Sequence, residues 1–197
     1  MKPTPEELEI LNNDHFLLVK NQVSEKVISY LAAIERSLHA HIQQVDPGVF
    51  PEGAFLKSGK IAKGEQYKGL PYFILDYPRL FTQKQVFAFR VMLWWGNHFS
   101  CTLHLQGPPH LQQPQTLIKK LMEHPELYFC VNTQPWDYHY EHTNYRQVKN
   151  LNQDNMRDQI ERHGFIKISK YLPVTSWDNF QTFTLQCFDD FLRLIAP

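Results

Sequence analysis

Apolar residues recur at helical spacing near both ends of the chain. One stripe, ended by the sequence Asp46-Pro47-Gly48, consists of Val23, Val27, Leu31, Ile34, Leu38, Ile42 and Val45. A second and broader stripe consists of Trp177, Phe180, Thr184, Cys187, Phe188, Phe191 and Ile195. Because side chains three and four positions apart share one face of an α-helix, this spacing predicts long N-terminal and C-terminal helices that pack against a core. A hydroxyl cap at Thr175 or Ser176 would begin the C-terminal helix.

Three shorter helices are indicated mainly by their end signals. Thr4-Pro5-Glu6-Glu7 has the hydroxyl, proline and glutamate of a capping box, so a short helix begins there. Apolar spacing predicts a second helix over 116–124. A third begins near Asn152 and ends at His163-Gly164, where glycine supplies a left-handed cap.

The middle of the chain changes to short apolar and aromatic runs separated by glycine and proline. Pro71 and Pro78 bracket the run YFILDY, two runs at 86–95 and 98–106 meet at Gly96-Asn97, and LYFCV and FIKISKYL follow. Runs of this kind favour β-strands. We therefore predict a single α+β domain over residues 1–197. Its antiparallel sheet has about five or six strands, and its helices pack mainly on one face.

The two runs around Gly96-Asn97 predict a β-hairpin whose register decides which side chains share a face. A two-residue loop mixes polar and apolar residues on both faces, whereas a loop with a third residue leaves one face wholly apolar. We prefer the second register, which places Arg90 directly across from His104. The polar face then consists of Arg90, Met92, Trp94, Ser100, Thr102 and His104.

This polar face is the candidate binding site. A cation, an imidazole, two hydroxyls and an indole on a curved sheet can bind a small anionic or polar ligand. The predicted ligand-binding residues are Arg90 as the anion anchor, with His104, Thr102, Ser100 and Trp94. The alternative is that the same row is the ordinary solvent face of a half-buried sheet.

The segment WDYHYEHTNY, residues 136–145, is the densest in potential metal ligands. As a helix it would bring His139 and His142 to neighbouring positions, and as a strand it would align Asp137, His139 and Glu141. Neither arrangement has the spacing of a known zinc motif such as HExxH, so we predict no metal and keep these four residues as a weak alternative. The simpler interpretation is an aromatic loop that covers a sheet edge, with its polar atoms in water.

Composition narrows the class of protein further. Lys and Arg together number 20, as do Asp and Glu, so the net charge is zero and a nucleic-acid partner is not expected. The three cysteines, Cys101, Cys130 and Cys187, are widely spaced among apolar residues, which indicates free core thiols in a reducing compartment. No apolar run approaches the ~18 residues of a membrane span. We expect a cytoplasmic protein without a membrane partner.

No catalytic motif decides whether the chain is an enzyme. The lysine-rich stretch after Gly53 fails as a phosphate loop, because five residues separate Gly53 from Gly59 and Ile61 stands where a hydroxyl is needed. There is also no G-x-S-x-G nucleophile motif. No cofactor is predicted.

Three functional hypotheses remain. The preferred one is a small-ligand binding domain with the ligand on the polar face of the hairpin. The alternative is an interaction or self-associating domain, with a homodimer as one form, because 14 Phe, 9 Tyr and 4 Trp are more aromatic residues than a core requires. A metal-dependent enzyme built on His139 and His142 is the third.

Overall fold

The computed structural model describes residues 2–54, 58–107, 111 and 114–196. Within these ranges the α-helices are α1 (Pro5–Leu11), α2 (Asp14–Ile42), α3 (Pro114–Met122), α4 (Gln153–His163) and α5 (Phe180–Ile195). The strands are β1 (Lys60–Tyr67), β2 (Leu70–Phe81), β3 (Val86–Trp94), β4 (His98–Gln106), β5 (Tyr128–Cys130), β6 (Tyr145–Gln147) and β7 (Phe165–Pro173). Short 3₁₀ helices occupy Pro47–Val49, Val148–Asn150 and Val174–Asn179.

The strands form one antiparallel sheet in the order β1-β2-β3-β4-β7-β5-β6. The α+β class is confirmed, but the sheet has seven strands rather than five or six. The difference comes from the region after residue 135, where β6 pairs with β5. Strand β6 has only three residues, which is too short for a period-two pattern to be recognised in a sequence.

Helices α2 to α5 contribute side chains to the core on the apolar face of this sheet, whereas α1 has no buried residue. Leu31, Ile34 and Leu38 of α2 are buried there together with Phe188 and other residues of α5. Aromatic rings bridge the two layers: Phe188 meets Phe89 edge to face, with ring centroids 5.0 Å apart. The apolar stripes of both long helices therefore face the core.

The ends of the helices follow their local signals, with one exception. The capping box at Thr4 and the left-handed Gly164 cap are both present. The C-terminal helix, however, begins at Phe180 instead of Thr175 or Ser176, because a 3₁₀ turn with non-helical angles at Ser176 precedes it. Trp177 therefore lies outside α5 and is only partly buried.

The hairpin of β3 and β4 has the predicted faces but not the predicted pairs. Its loop consists of Trp95, Gly96 and Asn97, so Arg90 lies opposite Thr102, and His104 lies opposite Ala88. The direct pairing of Arg90 with His104 was therefore wrong. Hydrophobic segregation determines only which face a residue occupies, and shifting the partner by two residues leaves every side chain on the same face.

Two further sequence expectations can be compared with the described residues. Cys101, Cys130 and Cys187 are free and buried. Among the described helices, none combines the length and the apolar character that crossing a bilayer demands.

Candidate functional site

A row of polar side chains crosses four neighbouring strands on the sheet face opposite the helices. Asp76 of β2 pairs with Arg90 of β3, which pairs with Thr102 of β4, which pairs with Ser169 of β7. The next row along the sheet places His104 beside Lys167. Successive side chains of a strand point to opposite faces of the sheet. These polar residues therefore share one face, while the residues next to them in each strand point toward the helices.

The polar face is neither open to solvent nor empty. Residues 135–144, which we call the covering segment, cross it with Trp136, Tyr138 and Tyr140 against the sheet. The Trp136 ring lies 5.2 Å from the His104 ring, and the Arg90 guanidinium lies 4.7 Å from the centre of the Tyr138 ring. The alternative interpretation of the polar row as a solvent face is therefore not met, because the row lies in a second buried layer. The aromatic loop, which the sequence suggested would cover a sheet edge, covers a sheet face.

Hydrogen bonds hold the covering segment in place. The hydroxyl of Tyr67 in β1 accepts from the backbone amides of Tyr138 (2.6 Å) and His139 (3.0 Å). Nδ2 of the fully buried Asn144 donates to the His139 carbonyl at 2.6 Å. At the sheet, the Tyr140 hydroxyl is hydrogen-bonded to Ser169 Oγ. Much of the polar content of this loop is thus bound to protein atoms instead of water.

The potential metal ligands of the covering segment have other contacts. Asp137 accepts a hydrogen bond from Asn132 at 2.9 Å, and Glu141 forms an ion pair with Lys68 at 2.5 Å. His139 Nδ1 is 3.7 Å from Glu141, and His142 is exposed. In the part of the chain that the structure describes, no three His, Cys, Asp or Glu side chains are grouped so that they could hold a metal ion.

Arg90 is already paired within the site. Its Nε and Nη2 donate to the two carboxylate oxygens of Asp76 at 2.6 and 2.7 Å. Burial alone would lower the pKa of Arg90, but the hydrogen bonds and charge of Asp76 outweigh it and leave the pKa raised. The two opposite charges balance, so this bidentate pair adds no net charge to the polar layer.

Lys167 is a second buried cation and has no such partner. Its side chain is 0% exposed, and its Nζ donates to the carbonyls of Pro135 (3.0 Å) and Asp137 (2.5 Å). Nζ also lies over the rings of Tyr138 (4.8 Å) and Tyr145 (5.0 Å). Burial lowers its pKa to about 8. Among the described residues no carboxylate lies within ion-pair distance of Nζ, and the Asp137 carboxylate acts on it only from farther away, so Lys167 has no direct counter-ion.

His104 is the least satisfied polar group of the layer. It is 1% exposed, and neither ring nitrogen has a hydrogen-bond partner among the described residues. Burial, and then the positive charges of Lys167 and Arg90, lower its pKa to about 3. The ring is therefore neutral at pH 7, with one N–H to donate and one bare nitrogen to accept. Each unmet partner of this kind costs roughly 1–3 kcal/mol.

Further unpaired groups lie along the same face. The hydroxyl of Tyr145 has no hydrogen-bond partner in the described chain. Near the hairpin turn the same is true of Trp94 Nε1, His98 Nε2 and Ser100 Oγ. The His98 ring packs edge to face on Tyr140 at 4.9 Å, and burial lowers its pKa to about 4. Native proteins leave few buried polar atoms unpaired, so their concentration on one sheet face is unusual.

The structure thus brings all five predicted ligand-binding residues, Arg90, His104, Thr102, Ser100 and Trp94, to one covered face. Sequence reasoning missed Asp76, Lys167 and Ser169, and it missed the role of Trp136 as a cover. The alternation of Lys167 and Ser169 within FIKISKYL is a period-two signal that could have placed both on a polar sheet face. No local signal links Trp136 to His104, because the contact is between distant parts of the chain.

Comparisons with protein-family models, with curated proteins and with solved structures gave no match to this chain. The functional argument therefore depends on the geometry of the polar layer alone.

Proposed function

We propose that this chain binds a small anion between the polar sheet face and the covering segment. The observation that carries the proposal is His104, whose two ring nitrogens are buried without partners beside Lys167. A small anion such as a carboxylate or phosphate group would accept from the imidazole N–H and balance the charge of Lys167. It would thereby meet two deficits of the layer at once.

The charges on this face favour an anion over a neutral or cationic ligand. Asp76 compensates Arg90, which leaves Lys167 as the surplus charge. Arg90 then adds to the positive potential at His104 while remaining bound to Asp76. This assigns the primary contact to His104 and Lys167, whereas the sequence suggested Arg90 as the anchor.

Thr102, Ser100 and Trp94 extend the same face toward the hairpin turn. Thr102 Oγ1 is hydrogen-bonded to Ser169 at 2.8 Å, while Ser100 Oγ and Trp94 Nε1 have no partner in the described chain. These groups would hydrogen-bond a polar extension of the ligand. Access would require the Trp136 side chain to move from above His104, and its 48% exposure leaves it room to rotate outward.

A purely structural role accounts less well for this composition. Replacing a buried charged group by apolar residues of similar volume is often neutral or stabilising, so folding alone does not require Lys167 and His104 here. The unpaired imidazole adds a cost that a bound ligand would remove.

The proposal can be tested by a thermal-shift screen of small anions, including phosphate, sulfate, acetate and citrate, with a neutral amide as the chemical control. At about 100 times its dissociation constant, a binding anion should stabilise the protein by roughly 2.7 kcal/mol. His104→Leu should abolish that shift. His98→Leu is the matched control, since it removes another buried imidazole of β4 away from Lys167, and it should keep the shift.

Two outcomes would refute the proposal. One is a panel in which no anion stabilises the protein more than the neutral amide does. The other is a shift that His104→Leu leaves unchanged, because the anion would then bind elsewhere.

A further inference from the structure

A second surface, independent of the polar layer, lies at the start of the chain. Residues 2–26 contain α1 and the first half of α2, and we call them the arm. Every residue from 2 to 19 is exposed, and the first buried residue of α2 is Val27. Residues 2–19 of the arm thus bury no side chain, and at the base of the arm Val23 is partly buried against the core.

The arm is nevertheless rich in large apolar side chains. Seven of them are exposed: Leu8, Ile10, Leu11, Phe16, Leu17, Leu18 and Val19. The other exposed large hydrophobic residues of the described chain, Ile28, Leu70, Trp136 and Tyr171, are scattered. The exposed apolar surface is therefore concentrated in one place and is mainly aliphatic, whereas the sequence suggested exposed aromatics.

The helical geometry indicates that this surface is covered by protein. Four consecutive apolar residues, 16–19, point in four directions around α2, and a helix that is apolar all round is normally buried. Helix α1 has seven residues and no buried side chain. Isolated helices shorter than about 12–15 residues are marginal in water, so α1 needs a partner to be stable.

The area and charge of the arm fit a second copy of this chain. Seven half-exposed apolar side chains amount to roughly 700 Å², close to the ~800 Å² per partner of a standard interface. Residues 16–19 carry no charge, so two copies can meet there without repulsion. The arm as a whole has five acidic and three basic residues, which disfavours attachment to an anionic membrane surface.

Each arm also provides a place for the partner. A groove of about 840 Å³ lies at its base and is lined by Val23, Glu25, Lys26, Tyr30 and Trp177, among others. Its apolar walls match an apolar helical segment, and Glu25 and Lys26 balance in charge. An antiparallel arrangement of two arms brings residues 16–19 of each to this groove in the other.

We propose that the arm is a homodimer interface: two arms lie antiparallel about a two-fold axis near Gln22, and residues 16–19 of each occupy the groove at the base of the other. The interface is isologous, so the same patch is used by both chains.

Light scattering after size exclusion tests the assembly. The wild-type protein should have twice the chain mass of 23.4 kDa. Leu17→Asp should shift it to the single-chain mass and keep a cooperative melt, because Leu17 is exposed in the single chain. Leu70→Asp, at a similarly exposed leucine outside the arm (40% against 46%), is the matched control and should remain dimeric. A single-chain mass for the wild type, or a dimer that Leu17→Asp does not dissociate, overturns the proposal.

A disulfide test examines the geometry. Gln22→Cys places one thiol near the proposed two-fold axis, while the three native cysteines are buried. Oxidation should link two chains through this thiol, and the non-reducing gel should show a band at twice the chain mass. Absence of the linked species rejects the antiparallel arrangement. Binding of a single-chain protein to phosphatidylcholine vesicles would assign the arm to a lipid surface and reject the dimer.

Discussion

The neighbours of His104 determine its protonation state. Strand pairing places it beside Lys167, the covering segment brings Trp136 against its ring, and Phe165 of β7 packs on the ring as well. None of these neighbours is hydrogen-bonded to a ring nitrogen of His104. The imidazole therefore stays neutral because protonation would add a third positive charge to a buried layer that already holds Lys167 and Arg90.

The lowered pKa of His104 predicts how stability depends on pH. Between pH 6.5 and about 3, the unfolded chain holds a proton on this residue and the folded chain does not. The unfolded state therefore gains stability as the pH falls, and the stability of the folded state falls through the same window. For this residue the loss between pH 7 and pH 5 is about 2 kcal/mol.

Chemical denaturation at the two pH values measures this contribution. His104→Gln should lose about 2 kcal/mol less than the wild type over the interval, each protein being compared with its own value at pH 7. An exposed histidine of α2 provides the control, since His15→Gln should follow the wild type. Equal losses in the wild type and His104→Gln would show that the buried imidazole is not held neutral.

The pairing of β2 with β3 places the Arg90 guanidinium beside a carboxylate that compensates its charge. Asp76 and Arg90 lie directly opposite each other, just before a register irregularity that ends at Arg79. Their side chains are almost fully buried beneath Tyr138. Removing one partner therefore leaves an uncompensated charge inside the polar layer.

Arg90→Met should accordingly destabilise the protein by about 3–5 kcal/mol. Asp76→Asn together with Arg90→Met should cost much less than the sum of the two single changes, because neither charge then remains alone. The control is Arg157→Met in α4, which removes an exposed pair with Asp154 and should change stability by less than about 1 kcal/mol. A cost of Arg90→Met as small as that of the control, or strict additivity in the cycle, would be inconsistent with a buried pair.

Much of the secondary structure could be predicted, since its determinants are local. The stripes of α2 and α5, the caps at Thr4 and Gly164 and the two faces of the hairpin depend on residues close in sequence. The residue pairs across the hairpin could not be predicted from the sequence. A three-residue loop displaced by one residue gives different pairs but leaves the same apolar and polar faces. The position of the covering segment could not be predicted either. It depends on contacts of Trp136 and Tyr138 with strands more than thirty residues earlier in the chain.

At the scale of the molecule, the sheet separates two kinds of interior. One face packs on α2 and α5 through an aliphatic and aromatic core. The other is closed by the covering segment and contains Asp76, Arg90, Lys167 and unpaired imidazoles and hydroxyls. The apolar face holds the main hydrophobic core, and the polar face is where we propose that a ligand binds. The arm includes the start of α2, which packs on the apolar face, so the proposed assembly and the proposed binding would use separate surfaces.

A crystal structure of the protein soaked with the anion that stabilises it most is the most direct test of this binding site. We predict density for the anion within hydrogen-bond distance of a ring nitrogen of His104 and beside Lys167. The Trp136 ring should have moved from its present position 5.2 Å from the imidazole. An anion bound elsewhere, with His104 still covered by Trp136 and its nitrogens unpaired, would contradict the proposal.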